Sequence, residues 1–338
     1  MPPRPISAGM VPLSVLDLVP VIEGGDVAQA LARTASAARV AEGAGYKRYW
    51  IAEHHGMAGV AGAATSVVIG HVAAATATIR VGAGGIMLPN HAPLAIAEQF
   101  GTLAALHPGR IDLGLGRAPG SDGRVAHALR RNLASDDGQF PRDVVELAAY
   151  FAGDPRLGIT ATPGAGADVE MWILGSSLFG AQLAAMLGLR FAFASHFAPD
   201  HLMDALAIYR REFQPSASLS RPYAAAAMQV FAAPTREEAE FLASSQAQAF
   251  VALRSGSPGK LQPPVEAYRE SLPPQAQAML AHVGRHAAVG TPAEVAASIA
   301  RFVADTGVDE VITTGSVFDP AARERSLVLT AEAWSARS

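Results

Sequence analysis

The sequence contains no cysteine among its 338 residues. This absence excludes disulfide bonds, thiolate metal sites and a cysteine nucleophile. It does not identify the compartment, because a cytosolic protein does not need disulfides. The ten histidines are spread along the chain rather than grouped in one tract.

Charge and long apolar runs are also scarce. Only 17% of the residues are charged and the net charge is −4, so there is no sign of a basic surface for nucleic acid or an anionic membrane. No stretch resembles a membrane span of about 20 apolar residues, and residues 1–10 lack the apolar run of a secretory signal. We expect a cytoplasmic protein with no nucleic-acid or membrane partner, in which residues 1–10 form a loose tail.

Strand-length apolar runs alternate with longer stretches of helical period. A length of 338 residues suits a single α/β barrel, which takes about 250 residues plus insertions. Eight β–α units favour a closed (β/α)8 TIM barrel over an open, Rossmann-like sheet, which is the alternative. The predicted strands are 13–18, 48–53, 79–88, 110–115, 170–174, 190–195, 223–231 and 309–314.

Several residues predict where helices begin and where loops interrupt the alternation. Asp26 has the character of an N-cap, and Thr291 begins a capping-box pattern with proline in the first turn. Gly307 suits a helix end. Residues 11–338 are expected to form one domain. Within it, the Pro-, Gly- and Ser-containing segment 254–275 is predicted to be an insertion loop that forms a lid over the barrel mouth.

Functional residues of a barrel lie at the carboxyl ends of its strands. At the end of strand two, His54 and His55 follow Glu53. A neutral histidine there can act as a general acid or base, or donate a hydrogen bond to a cofactor. The alternative is a pair of histidines bonded to loop carbonyls. No HxH or HExxH spacing supplies a third ligand, so no metal site is predicted.

Glycines occur within the second half of strand three and at the end of strand four. Gly84 and Gly85 allow a flat ring to stack on bare backbone, and a bulge required for barrel curvature is the alternative. The glycine-rich segment 114–120 contains Arg117, whose fork of donors suits a phosphate. An ordinary surface arginine is the alternative reading of that position.

Polar residues also end strands five and six. Gly175, Ser176 and Ser177 precede a helix whose N-terminal N–H groups suit an anion, although a simple serine N-cap is the alternative. Strand six ends with His196 beside Phe197. The dinucleotide pattern GxGxxG with its later acidic residue, the P-loop and the hydrolase pattern GxSxG are all absent.

Taken together, these segments resemble the bacterial luciferase-like superfamily of flavin-dependent monooxygenases. The likeness covers about residues 11–335, and the order and spacing of the motifs carry it. The matching segments are WIAEHH at 50–55, VGAGGIMLP at 81–89 with HAP at 91–93, GRIDLGLGR at 109–117, VGTPAEV at 289–295 and TGVDE at 306–310.

The resemblance implies a barrel that binds reduced FMN, supplied by a separate flavin reductase, and uses O2 to oxidise a small organic substrate. Such relatives are commonly homodimers. The active-site histidine of the family corresponds to His54, and its non-prolyl cis peptide under the flavin to Gly84-Gly85. The phosphate-binding groups correspond to Arg117 and the turn Gly175-Ser176-Ser177. The residues of second rank are Asp17, Glu53 and His91.

Two positions depart from bacterial luciferases, which have a reactive cysteine where this chain has Gly116 and an acidic residue where it has Gly175. Light emission from an aldehyde is therefore not expected. Coenzyme F420 relatives share the same barrel, so an F420-dependent dehydrogenase is one alternative function. A flavin-binding barrel without turnover, acting as a carrier or sensor, is another.

Overall fold

A computed structural model describes residues 10–117, 123–129 and 138–337. Most of the predicted tail at 1–10 and the end of the glycine-rich segment 114–120 lie outside these residues. The described residues contain nine strands, all parallel. They are β1 (Leu13–Asp17), β2 (Arg48–Ile51), β3 (Arg80–Met87), β4 (Ile111–Gly116), β5 (Glu170–Gly175), β6 (Arg190–Phe193), β7 (Ala224–Ala232), β8 (Ala288–Gly290) and β9 (Glu310–Thr314).

Eight of these strands form a closed ring. Their order is β6-β5-β4-β3-β2-β1-β9-β7, and pairing of β6 with β7 closes the barrel. The predicted TIM barrel is therefore confirmed. The short strand β8 pairs with the carboxyl end of β7, from Val230 to Ala232, and lies outside the ring.

Helices connect most of the strands and cover the outside of the barrel. In the described part of the chain they are α1 (Val27–Gly43), α2 (Thr65–Ala75), α3 (Pro93–Leu106), α4 (Gly123–Ala128), α5 (Gln139–Ala152), α6 (Leu178–Leu187), α7 (Leu202–Glu212), α8 (Arg236–Arg254), α9 (Pro274–Val283), α10 (Pro292–Thr306) and α11 (Pro320–Ser335).

The predicted helix boundaries are confirmed at three positions. The Asp26 carboxylate accepts a hydrogen bond from the Gln29 N–H at 2.8 Å, and Gln29 completes a capping box. Thr291 forms the second capping box with Glu294 at the start of α10. That helix ends at Gly307, whose φ of 61° is the left-handed conformation that glycine adopts without steric cost.

The barrel interior and the layer outside it have separate apolar cores, because successive strand residues point to opposite sides. On β2, Tyr49 and Ile51 pack outward against the helices, whereas Trp50 points into the barrel. The Trp50 ring meets Trp172 edge-on, with 5.0 Å between ring centroids. The other fully buried members of this inner core are small or aliphatic: Leu16, Ala52, Ala192, Ala225, Ala227 and Ile312.

A buried ion-pair network closes the amino-terminal end of the barrel. Arg48, the first residue of β2, is 1% exposed. Its guanidinium donates hydrogen bonds to carboxylates at the starts of three other strands, at distances of 2.7 to 2.8 Å. These acceptors are Asp112, Glu170 and Glu310.

Between α8 and β8 the chain forms a loop over residues 255–273, and helix α9, which the sequence did not predict, follows. Leu261 of this loop is buried, and its backbone is hydrogen-bonded to Val21 and Glu23 after β1. The function of segment 254–275 as a lid remains a prediction. Within the described ranges, no helix combines the length and apolar character needed to cross a bilayer.

Candidate active site

A cavity of about 1270 Å³ opens at the carboxyl end of the barrel strands. We call it the central cavity. The end of α8 and the following loop contribute Leu253, Arg254, Pro258, Gly259 and Leu261 to its wall. Nine of the ten site residues expected from the sequence line this one cavity: Glu53, His54, Gly84, Gly85, His91, Arg117, Gly175, Ser176 and Ser177.

Asp17 is the exception, because its carboxylate points away from the barrel axis. It accepts hydrogen bonds from Tyr49 at 2.6 Å and Thr34 at 2.8 Å, and it pairs with Arg323 at 2.8 Å. Burial alone would raise the pKa of Asp17, but the Arg323 charge and these hydrogen bonds hold it below the usual value. Asp17 therefore joins the barrel to α1 and α11, and its second-rank place in the site is corrected to a structural one.

Glu53 holds two histidines and a strand end together. One carboxylate oxygen accepts hydrogen bonds from His55 Nε2 at 2.6 Å and from His91 Nε2 at 2.8 Å. The other accepts the Met87 N–H at 3.0 Å. Burial favours a raised pKa for Glu53, but these partners, His91 first, keep it below the usual value. Glu53 thus orients His55 and His91 rather than His54.

The Glu53 cluster, formed by Glu53, His55 and His91, also has the composition of a metal site. Its three ligand atoms lie within 4.8 Å of one another. In a tetrahedral zinc site with bonds of about 2.0 Å, ligand atoms are roughly 3.3 Å apart. The oxygen–nitrogen distances of 2.6 and 2.8 Å are shorter and match hydrogen bonds. The geometry is therefore that of a hydrogen-bonded cluster.

His54 follows β2 and has unused hydrogen-bonding capacity. Its Nδ1 atom is buried and has no hydrogen-bond partner. Burial lowers the pKa of His54, and the neighbouring Glu53 charge offsets only part of this effect. The imidazole is therefore neutral near pH 7, the form that can accept or donate a proton.

Gly84 and Gly85 line the cavity with bare backbone, and the peptide bond between them is cis, as the resemblance implied. A Cβ on Gly84 would lie 2.9 Å from Trp50 Cβ, and one on Gly85 would lie 2.8 Å from the Gly114 carbonyl oxygen. Side chains are therefore excluded at both positions. The pairing register between β3 and β4 also shifts here, between Ala83 and Ile86. The segment therefore has both features predicted as alternatives, a β-bulge and a surface of bare backbone.

Polar groups without protein partners line the central cavity where α6 begins. Ser177 is the N-cap residue, yet its side chain makes no capping hydrogen bond. The Arg117 guanidinium lies 4.3 Å from the ring centre of Phe179, in the first turn of α6. Among the described residues no carboxylate pairs with Arg117. The free helix N–H groups, the serine hydroxyls and this cation together suit a phosphate.

The structure adds His196, which the sequence placed at the strand-six end but not among the site residues. His196 lines the cavity, and its Nδ1 atom is buried without a hydrogen-bond partner. Burial, with a smaller contribution from the charge of His54, lowers its pKa to about 4. In the sequence, the position of His196 was the one indication that it belongs to the site: like His54, it follows a barrel strand.

Comparison with known proteins agrees with this geometry. The sequence model of the luciferase-like monooxygenases matches residues 13–310. A protein of Escherichia coli K12 described as a luciferase-like monooxygenase is 50% identical over 320 residues, which are 94% of this chain and 96% of the relative.

Two solved structures extend the comparison. The crystal structure of apo-MsnO8 is 32% identical, with a TM-score of 0.86 over 96% of this chain and 98% of that one. The oxygenating constituent of 3,6-diketocamphane monooxygenase of Pseudomonas putida, in complex with FMN, shares the fold at 17% identity and a TM-score of 0.74 over 97% and 99%. This chain belongs to the luciferase-like monooxygenase family.

Proposed function

We propose that the protein is an FMN-dependent monooxygenase that uses reduced FMN and O2 to oxidise a small organic substrate. The observation that carries the proposal is that a bare-backbone surface and an anion pocket line the same cavity. Gly84 and Gly85 provide the surface for a flat ring, and Arg117 with the start of α6 provides the pocket for a phosphate. FMN has both groups.

The size of the cavity supports the presence of two ligands. Pockets for single ligands are about 300–1,000 Å³, and the central cavity of about 1270 Å³ exceeds that range. At Gly116 and Gly175 a Cβ would approach no atom closer than 3.6 Å. Neither position is therefore forced to be glycine by packing, and the missing side chains leave the wall open to a ligand.

Each group of the chain has a defined task in this proposal. Arg117, Ser176 and Ser177 bind the phosphate. The FMN, when bound, supplies the redox chemistry and the reaction with O2. Apolar side chains of the wall, such as Trp50 and Leu174, exclude water from the reacting groups. Neutral His54, which lines the cavity, orients the substrate by a hydrogen bond or transfers a proton.

We also propose a partner protein, an oligomeric state and a compartment for the enzyme. A separate flavin reductase would supply reduced FMN, and the active form would be a cytoplasmic homodimer. The family resemblance supports both points, and sedimentation with and without a candidate reductase tests the assembly.

An anaerobic titration with reduced FMN, and in parallel with reduced F420, tests the cofactor. We expect reduced FMN to bind, and the bound flavin to reoxidise more slowly than free FMN after a pulse of oxygen. Binding of F420 alone would instead indicate a dehydrogenase that transfers hydride. If neither cofactor binds, the assignment of the phosphate pocket is wrong.

His54→Ala separates catalysis from simple flavin binding. This variant should bind reduced FMN with an affinity close to that of the wild type, because the phosphate pocket is unchanged, and should lose the slow reoxidation. A flavin carrier without turnover would show no such dependence on His54.

A further inference from the structure

One histidine of the central cavity is oriented by a buried carboxylate. In the described part of the chain His54, His91 and His196 line the cavity, and of these only His91 has a ring nitrogen hydrogen-bonded to a carboxylate. Its Nε2 atom lies 2.8 Å from Glu53 Oε1, and the Glu53 side chain is 1% exposed. A carboxylate that accepts from one imidazole nitrogen fixes the ring and leaves the other nitrogen for proton transfer.

The second ring nitrogen of His91, Nδ1, is accessible. The His91 side chain is 26% exposed, and among the described residues no group is hydrogen-bonded to Nδ1. The Nδ1 atoms of His54 and His196 also lack partners, but they are buried within the protein, whereas Nδ1 of His91 is not. A ligand in the central cavity can therefore contact His91 at this atom.

The charge of Glu53 determines which nitrogen of neutral His91 carries the proton. The pKa of Glu53 is below its usual value, so its carboxylate is an anion near pH 7. An ionised carboxylate only accepts hydrogen bonds, so the 2.8 Å contact requires a proton on Nε2 of His91. Nδ1 can then take up a proton and give it back while the hydrogen bond to Glu53 stays in place.

The same carboxylate places His91 beside the bare-backbone surface. Its other oxygen accepts the Met87 N–H at 3.0 Å, and Met87 ends β3 two residues after Gly85. A short 3₁₀ helix over Leu88–Asn90 follows, and the His91 N–H donates to the Leu88 carbonyl at 2.9 Å. Both the backbone and the ring of His91 are therefore attached to the end of the strand that carries the bare-backbone glycines.

His55 makes the same contact without facing the cavity. Its Nε2 atom lies 2.6 Å from the same oxygen of Glu53, and its side chain is 15% exposed, yet it does not line the central cavity. The centroids of the His55 and His91 rings are 6.4 Å apart. The chain thus has two histidines with one carboxylate partner, and His91 is the one that a ligand in the cavity can reach.

We propose that His91 is a second catalytic residue of the central cavity, which donates a proton from Nδ1 to the oxygen atom that leaves as water. This role rests on the proposed function and deepens it. One atom of O2 enters the substrate and the other becomes water, which requires two electrons and two protons. Both electrons and one proton come from the anion of reduced FMN, and the second proton comes from His91. Neutral His91 then takes a proton from solvent at the same nitrogen.

Chemical modification tests the placement of His91 without turnover. Diethyl pyrocarbonate acylates accessible, unprotonated imidazole nitrogens, and peptide mass spectrometry locates the products. In the full-length protein we expect His91 to react, and to react at least about fivefold more slowly when oxidised FMN is bound, because a pocket buries most of its ligand against the lining groups. His55 is the internal control, and its rate should change less than about twofold, since it does not line the pocket.

A variant of His91 tests the proton transfer itself. His91→Gln keeps an N–H donor for Glu53 but has no nitrogen that can be protonated. Oxidation of bound, anionic reduced FMN by O2 consumes one proton even when hydrogen peroxide is the product, so it should slow at least about tenfold in this variant. Free imidazole in the buffer should restore part of the rate, which a purely structural role of His91 would not allow.

His71→Gln is the matched control variant, because His71 lies at an exposed position of α2 and outside the cavity wall. Its rate should stay within about twofold of the wild type, as for other surface substitutions. Circular dichroism verifies that each variant is folded. If His91→Gln does not fold, the modification experiment on the wild-type protein decides.

The outcomes distinguish the role of His91 from the proposed function. Quenching of flavin fluorescence measures FMN binding separately. Suppose that FMN binds, but His91 is unreactive or unprotected, His91→Gln keeps the wild-type rate, or imidazole restores none of the lost rate. The catalytic role of His91 is then wrong, and the proposed function stands. If FMN does not bind, the proposed function fails, and the role of His91 fails with it.

Discussion

The two ends of the barrel differ in how completely their buried polar groups are hydrogen-bonded within the protein. At the amino-terminal end, Arg48 is buried, and three carboxylates accept its hydrogen bonds. At the carboxyl end, His54 and His196 have buried nitrogen atoms without partners, and Arg117 has no carboxylate partner in the described part of the chain. One end is saturated and the other has spare hydrogen-bonding capacity.

This difference follows from what each end does. A buried charge that loses its partners is strongly destabilising, so a network without a ligand must be complete within the protein. Groups that bind a ligand must instead remain available until the ligand arrives. In a barrel the carboxyl ends of the strands carry function and the other end carries stability, and the distribution of satisfied polar groups here follows the same division.

The largest effect is expected at the saturated end. Arg48→Met leaves Asp112, Glu170 and Glu310 without their shared cation, and should lower the free energy of unfolding by about 3–5 kcal/mol. Denaturant unfolding followed by circular dichroism measures the change. Arg156→Met removes an exposed ion pair with Asp154 and should leave the midpoint unchanged. Equal midpoints for both variants would contradict a stabilising role for the network.

A smaller effect is expected at His196. Its pKa falls from 6.5 to about 4 on folding, so between these values the unfolded chain binds the proton and the folded protein does not. Acidification therefore favours unfolding. The contribution to stability is complete above pH 6.5 and falls by at most about 3 kcal/mol as the pH approaches 4.

Unfolding of His196→Asn across the same pH range tests this sign. The variant should lose less stability on acidification than the wild type, because asparagine does not titrate. Carboxylates such as Glu53 contribute equally to both proteins and cancel in the difference. His127→Asn, at an exposed position of α4, should retain the wild-type pH dependence. If the free energy of unfolding depends on pH equally in His196→Asn and in the wild type, His196 is accessible to protons in the folded state.

The smallest effect on the fold, and a selective effect on binding, is expected at Arg117. Under the proposed function, Arg117→Ala removes a charge-assisted contact with the phosphate and should weaken FMN binding by about tenfold to a hundredfold, with the stability unchanged. Arg254→Ala removes another exposed arginine of the same cavity and should change FMN affinity less than about twofold. If Arg254→Ala has the larger effect, the phosphate lies at the other side of the cavity.

Local chemistry made much of the fold predictable. The alternation of strands and helices, the caps at Asp26 and Thr291 and the helix end at Gly307 depend on neighbouring residues, and the sequence contains those residues directly. The strand β8 was not predicted, because three residues are too few to show an alternation of apolar and polar side chains, and its pairing with β7 is non-local. Helix α9 was missed because prolines and glycines precede it and obscure its start.

The site was partly predictable for the same reason. Position at a strand end indicated nine of the lining residues, but it could not show which way a side chain points. Asp17 stands at a strand end and points outward to Arg323. Glu53 is hydrogen-bonded to His55 and His91 and not to His54. The contact with His91 joins residues 38 positions apart, so the sequence near Glu53 could not indicate it. That His196 lines the same cavity as His54 depends on the order of the strands around the ring.

The lack of cysteine gives the central cavity a particular chemical vulnerability under the proposed function. Two of the nine methionines, Met57 and Met87, line its wall. With no thiol in the chain, their thioethers are the only sulfur atoms of the described lining, and oxidants that escape productive turnover would convert them to sulfoxides. Met87 follows the bare-backbone glycines and donates its N–H to Glu53. The amount of methionine sulfoxide at these two positions would therefore report how often oxidant is released without oxidation of the substrate.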